Sequence, residues 1–185
     1  MRNTFDRFNG RHQDYQAARP SYAQEFLDWL GELYAPPERY TAADIGSGTG
    51  KLSAQLLAAG FRVCGVEPNP DMRGAAEALL GGDPRFSSSN GTDHDTGLPD
   101  RSVDMVAAAQ AFHWFDGPAF ARECRRILRP GGRAVLVWNV RGSAPMNQAL
   151  AQVFREHCPS FHGFTGGMGE DDPRIRDFFG GAYEK

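Results

Sequence analysis

The sequence predicts a single α/β domain in which a mostly parallel sheet of about five strands lies between two helical layers. Two observations carry that expectation. Short apolar runs, too short for helices, alternate with stretches whose apolar residues recur at helical spacing. The first of these runs also opens directly into a glycine-rich turn and then a helix, the connection a βα unit requires.

The elements follow in order. Residues 1–19 are polar with isolated Phe5, Phe8 and Tyr15, and read as an arm. Ser21 with Gln24 forms a capping-box pattern for a first helix, whose Phe26, Leu27, Leu30, Leu33 and Tyr34 share one face before Pro36 and Pro37 stop it. Ala42–Ile45 is the first strand. Leu52, Leu56 and Leu57 mark a helix ending at Gly60, and Phe61–Val66 the second strand. Asn69 and Pro70 cap and start the next helix through Met72, Ala76, Leu79 and Leu80. Arg85–Ser89 is a weaker third strand and Val103–Ala108 a fourth. Asp116-Gly117-Pro118 opens a helix with Phe120, Cys124, Ile127 and Leu128 inward. Pro130-Gly131-Gly132 reads as a turn into a fifth strand, Arg133–Trp138. Ser143 to about His157 is a last helix, and the glycine-rich remainder reads as loop and short helix. The core is thus placed at 20–140, between the arm and a C-terminal segment at 141–185.

Composition narrows the function classes. A net charge of −3, from 20 basic and 23 acidic residues, offers no general attraction to nucleic acid or to an acidic membrane. Arg122, Arg125, Arg126, Arg129 and Arg133 form a basic run, read as a solvated helix face rather than a nucleic-acid stripe. No apolar run is long enough to span a bilayer, and Met1–Arg7 has no apolar stretch behind its charges, so a cytoplasmic protein is expected. The three cysteines lack a C-x-x-C pair, and His157, Cys158 and His162 lack a spaced fourth ligand. Neither a disulfide framework nor a metal site is expected.

The chemistry concentrates in Asp44-Ile45-Gly46-Ser47-Gly48-Thr49-Gly50. Glycines between a strand and a helix let a ligand lie on bare backbone, over the free N–H groups of the helix start. A phosphate-cradling P-loop is excluded, because Ile45 stands at its first glycine and Leu52 follows Gly50-Lys51 where Ser or Thr is needed. A dinucleotide G-x-G-x-x-G would need glycine at Lys51. The pattern is instead G-x-G-x-G preceded by an acid, and Glu67 closes the second strand, where a carboxylate can accept both hydroxyls of a ribose.

These residues resemble class I methyltransferases that use S-adenosylmethionine. Gln110-Ala111-Phe112-His113-Trp114-Phe115-Asp116 is similar to the H-W-F segment of a small-molecule branch that includes trans-aconitate and ubiquinone-biosynthesis types. Tyr15–Pro20, Glu67–Met72, Gly91–Asp104 and Arg126–Gly132 match further stretches, covering about residues 4–140. The resemblance implies a Rossmann-like three-layer α/β/α sandwich with strand order 3-2-1-4-5. For the cofactor it implies contacts from Arg19, Asp44, Gly46, Ser47, Gly48, Glu67, Pro68, Met72, Thr92, Asp93 and Gln110. His113 and Trp114 fall on the acceptor side, with His113 the nearby base for a hydroxyl of low acidity.

There are two departures. Asp93-His94 stands where many relatives have a small residue and then Glu, and the chain stops at Lys185 before the family's sixth and seventh strands. Strand five is therefore expected as an apolar edge that a second copy, another partner or the tail covers. The expected function is methyl transfer to a small-molecule acceptor. A cofactor-binding module without catalysis and an NAD(P)-dependent oxidoreductase are the alternatives.

Overall fold

The computed structural model describes residues 21–139, 145–158 and 171–184. Its centre is one five-stranded sheet, all parallel, in the order β3-β2-β1-β4-β5. The strands are β1 Thr41–Ile45, β2 Arg62–Val66, β3 Phe86–Ser89, β4 Val103–Ala109 and β5 Leu128–Val137. The helices are α1 Gln24–Leu33, α2 Lys51–Ala58, α3 Pro70–Leu80, α4 Gly117–Ile127, α5 Pro145–His157 and α6 Pro173–Phe178.

Both sheet faces are covered, which is why β1 and β4 read as unbroken apolar runs. Their residues alternate between two cores. Ala43, Ile45, Val106 and Ala108 pack with Phe112, Phe120 and Ile127, whereas Ala42, Met105, Ala107 and Ala109 pack with Leu30, Leu52, Leu56 and Phe61. A one-residue slip in either strand would exchange the two sets, so burial fixes the register. All five strands point their carboxyl ends the same way, and the turns leaving β1, β2 and β4 therefore lie at one end of the sheet.

Two details depart from the sequence reading. Ser21 does not cap α1, whose N-cap is Ala23 with no side-chain hydrogen bond. The entry is held by tertiary contacts instead: Tyr22 N–H donates to Gln55 Oε1 and Asn139 Nδ2 to the Ser21 carbonyl. β5 begins at Leu128, so Pro130-Gly131-Gly132 lies within a strand as an irregularity, between the pairs Val103–Leu128 and Met105–Arg133. A proline and two glycines there suit an edge strand, whose outer N–H groups bond no neighbour. The short helix expected in the tail is α6. From α6, Ile175 and Phe178 are buried, and Phe178 stacks on Phe120 with ring centroids 5.1 Å apart. The last helix expected from sequence is α5, whose Leu150, Val153 and Phe154 are exposed.

Candidate functional site

The glycine turn between β1 and α2 is held by its own backbone. Gly46 and Ser47 N–H both donate to the Val66 carbonyl, and Gly50 N–H to that of Ser47. Gly46, Gly48 and Gly50 all have positive φ, at 69°, 56° and 80°, so each needs the freedom of glycine. Their surroundings differ. A Cβ on Gly46 would sit 2.8 Å from the Ala111 Cβ, and one on Gly50 would sit 2.9 Å from Leu80 Cδ1. At Gly48 a Cβ would meet nothing within 4 Å among the described residues. Two of the glycines permit close packing, and the third faces open space.

Glu67 stands beside that opening and is 92% buried, being only 8% exposed. Its Oε2 accepts the Gly48 N–H at 2.9 Å and its Oε1 the Asn69 N–H at 2.9 Å. Burial raises its pKa, against the lowering effect of those two N–H bonds and of the Arg73 charge. An ionised carboxylate offers about four lone-pair positions, so each oxygen keeps capacity for one further donor. Asn69 meanwhile caps α3 through the N–H groups of Asp71 and Met72, which fixes Pro68 and the buried Met72 beside Glu67.

Asp44 is fully enclosed beneath the turn. Its Oδ2 accepts the Ser53 hydroxyl at 2.7 Å. Burial pushes its pKa up to about 6, the nearby Glu67 charge adds to the rise, and the Ser53 bonds oppose it. Ser53 is a site residue the sequence reading missed. The signal was available, since Ser53 is a polar residue on the buried face of α2 with Leu52, Leu56 and Leu57.

Past β4 the chain returns against the glycine turn. Gln110 takes a left-handed φ of 55°, rare outside glycine, while its N–H bonds the Val137 carbonyl and its Nε2 the Asn139 carbonyl. Phe112–Trp114 then forms one turn of 3-10 helix, and the Phe115 ring lies 3.2 Å from where a Gly46 Cβ would be. The His113 and Trp114 rings are 4.7 Å apart, with Trp114 46% exposed at the surface. Asn139, joined to this region through Gln110, was not among the residues singled out from sequence.

Thr92 and Asp93 occupy the loop after β3, and their side chains bond within the protein. Thr92 Oγ1 accepts the Asp95 N–H, and Asp93 Oδ2 accepts the Asp116 N–H at 3.0 Å. That second bond ties the loop to the start of α4. Glu123 strengthens the tie by accepting both Thr96 N–H and Thr96 Oγ1–H while pairing with Arg126. Asp44, Gly46, Ser47, Gly48, Glu67, Pro68 and Met72 are thus gathered around one turn, with Gln110, His113 and Trp114 following β4 at the same sheet end. Arg19 and the proposed arm lie outside the described residues.

Comparison with known proteins agrees with this geometry. Residues 43–136 match the family model of the methyltransferase domain. The chain is 42% identical over 127 residues to an uncharacterized methyltransferase of Mycobacterium tuberculosis, covering 69% of this chain and 49% of that protein. An uncharacterized methyltransferase-like protein of Schizosaccharomyces pombe is 32% identical over 153 residues, 80% of this chain and 59% of its own. Among solved structures, a candidate type II methyltransferase from Anaeromyxobacter dehalogenans is similar with TM-score 0.61 and 34% identity, over 88% of this chain and 64% of that one. The chain spans about half the length of the mycobacterial relatives it matches.

Proposed function

The chain belongs to the methyltransferase domain family, and on that premise we propose that it binds S-adenosylmethionine at the glycine turn and transfers its methyl group to a small-molecule acceptor. The observation that carries the reading is the Glu67 carboxylate, held by Gly48 and Asn69 N–H groups at the mouth of the open turn. Its spare acceptor positions suit the two hydroxyls of a ribose, and the space over Gly48 suits the ligand that carries them.

When bound, the cofactor supplies a methyl group already activated by its positive sulfonium. The residues of this chain then bind, orient and exclude water. Gly46, Ser47 and Gly48 provide the floor, Glu67 holds the ribose, and Pro68 with Met72 flanks the adenine. Asp44 receives the cationic amino group, and Arg19 the carboxylate. Thr92 and Asp93 hold the adenine loop through bonds within the protein and keep hydrogen-bonding capacity for the adenine edge. Gln110 orders the chain after β4, and His113 with Trp114 faces the acceptor. With a hydroxyl acceptor of low acidity, His113 takes its proton; with a carboxylate or phenolate, positioning suffices.

A small acceptor is favoured over nucleic acid because two of the five arginines of the basic run are engaged in ion pairs within the protein. Arg126 pairs with Glu123 and Asp100, and Arg129 with Asp104. β5 is an edge strand among the described residues, so its pairing with a second copy is part of the proposal, and light scattering that shows a monomer at all concentrations would remove it.

Calorimetric titration of S-adenosylmethionine tests the central reading, with NADH as control ligand and Glu67→Ala as control protein. Saturable binding that is lost in the variant supports it. Binding of NADH in preference, or an unchanged affinity in Glu67→Ala, overturns it. Binding without turnover over a panel of acceptors would instead favour a module that holds the cofactor without catalysis.

A further inference from the structure

Resting on the cofactor reading above, we propose that Ser53 is a positioning residue: from the buried face of α2 its hydroxyl orients the Asp44 carboxylate and favours its ionised form for the cofactor's cationic amino group, which makes cofactor affinity depend on pH.

The Ser53–Asp44 contact is buried. Ser53 is 0% and Asp44 1% exposed, and the Oγ–Oδ2 separation of 2.7 Å is that of a strong hydroxyl–carboxylate hydrogen bond. In the sheet, Asp44 is flanked by Gly65 of β2 and Ala107 of β4, neither of which titrates or donates from a side chain. The groups that act on Asp44 are therefore Ser53 from α2 and the Glu67 charge from the end of β2. Glu67 opposes ionisation and Ser53 supports it. A buried carboxylate without a donor keeps its proton, and a neutral carboxyl loses its charge attraction for an ammonium group. Ser53 also sits one turn into the helix that starts at the glycine turn, so it ties the carboxylate to the element that forms the cofactor floor.

The test compares wild type, Ser53→Ala and Asp44→Asn by two readouts between about pH 5 and pH 8. The first is the carboxyl carbon resonance of Asp44 in cofactor-free protein, followed by NMR. The second is calorimetric affinity for S-adenosylmethionine. In wild type both should turn over near pH 6, where burial has pushed Asp44. Removing the hydroxyl should move both inflections upward by about 1–2 pH units, the equivalent of one hydrogen bond to a charged group. At about pH 6 the affinity of Ser53→Ala should then fall by roughly 5-fold to 50-fold, with the gap closing as pH rises. The ligand's own amino group titrates equally against both proteins, so the difference between the curves isolates Asp44. Asp44→Asn should bind weakly, with a flat difference profile.

Failure separates cleanly from failure of the cofactor reading. An Asp44 titration that does not move in Ser53→Ala overturns the proposal, whether or not the cofactor binds. A titration that moves, with affinity curves that superimpose, overturns the link from Asp44 to the cofactor. A constant loss of affinity at every pH shows a merely structural role for Ser53 and also overturns it. Absence of all cofactor binding in wild type, with the Asp44 titration shifted as expected, refutes the cofactor reading and leaves the Ser53–Asp44 coupling standing.

Discussion

Alanine at Gly46 and alanine at Gly48 should have opposite consequences, although only Ser47 separates the two positions. Both glycines have left-handed backbone, which costs a residue with a side chain about 1–2 kcal/mol. At Gly46 the new methyl also lands 2.8 Å from the Ala111 Cβ and 3.2 Å from the Phe115 ring. Ala111 has no flexible end to move aside, so overpacking adds about 1–3 kcal/mol. Gly46→Ala should lose about 3 kcal/mol in total, lowering the melting temperature by roughly 6–12 °C in a chain of this size. At Gly48 the methyl meets no atom within 4 Å among the described residues. Gly48→Ala should lose only the backbone cost, about 1 kcal/mol and roughly 2–4 °C. Its methyl instead fills space assigned to the cofactor, and S-adenosylmethionine affinity should fall at least about tenfold, the equivalent of 1.4 kcal/mol. Thermal unfolding of the cofactor-free proteins and calorimetric titration measure the two effects. Wild-type affinity in Gly48→Ala would show that the ligand does not cross this turn. Equal melting losses in the two variants would refute the packing argument.

Three further outcomes follow from burial and charge. The raised pKa of Asp44 means that the folded state holds this proton more tightly than the unfolded chain does; the stability it contributes is complete below about pH 3.8 and lost as pH rises through about 6. Asp44→Asn should therefore raise cofactor-free stability above pH 6 by up to about 3 kcal/mol and abolish tight cofactor binding; melting at about pH 4 and pH 8 should show the gain only at the higher pH. Glu123 behaves oppositely: burial pushes its pKa up, but bonds from Arg126 and Thr96 outweigh this and bring it down to about 2. Its stabilisation is present above about pH 4.5 and lost as pH falls towards 2, so Glu123→Gln should cost on the order of 2 kcal/mol near neutrality, and urea titrations should show that difference shrinking in acid. Phe178→Ala should cost about 3 kcal/mol in chemical denaturation if α6 is docked as described, and almost nothing if the tail does not pack on Phe120 and Phe112.

The parts of the fold that were legible in the sequence are those decided locally. Strand–helix alternation, the glycine turn, the Asn69 and Asp116 caps and the acid at the end of β2 all rest on residue types at short spacing. The departures occur where a distant partner decides. Ser21 has the chemistry of a cap, but Gln55 and Asn139 bind the backbone around it from across the chain. Pro130-Gly131-Gly132 has turn chemistry, yet pairing with β4 on either side keeps it within the strand. Bonds from Thr92 to Asp95 and from Asp93 to Asp116, which hold the loop after β3, are likewise contacts that no motif encodes. Ser53 shares the helical spacing of Leu56 and Leu57, a signal that is easily passed over because serine is ordinary on a helix, and its burial beside Asp44 gives that signal its meaning.

Charge is distributed unevenly along the strands, and the unevenness separates stability from function. At the amino ends, carboxylates are satisfied by cations and N–H groups: Asp104 accepts from Thr41 N–H and Arg129, and Asp83 pairs with Arg85, which holds its pKa low. At the carboxyl ends the carboxylates are more deeply buried. Asp44 and Glu67 are buried with raised pKa values, and Gln110 carries a left-handed backbone. The two buried carboxylates lower the stability of the cofactor-free fold near neutrality, and a ligand with a cationic group and hydroxyl donors would meet both. A parallel sheet permits this division because every strand delivers its carboxyl end to the same place. The buried carboxylates gather at the end of the sheet where the proposed cofactor site lies, and the Asp104–Arg129 and Asp83–Arg85 pairs lie at the other end.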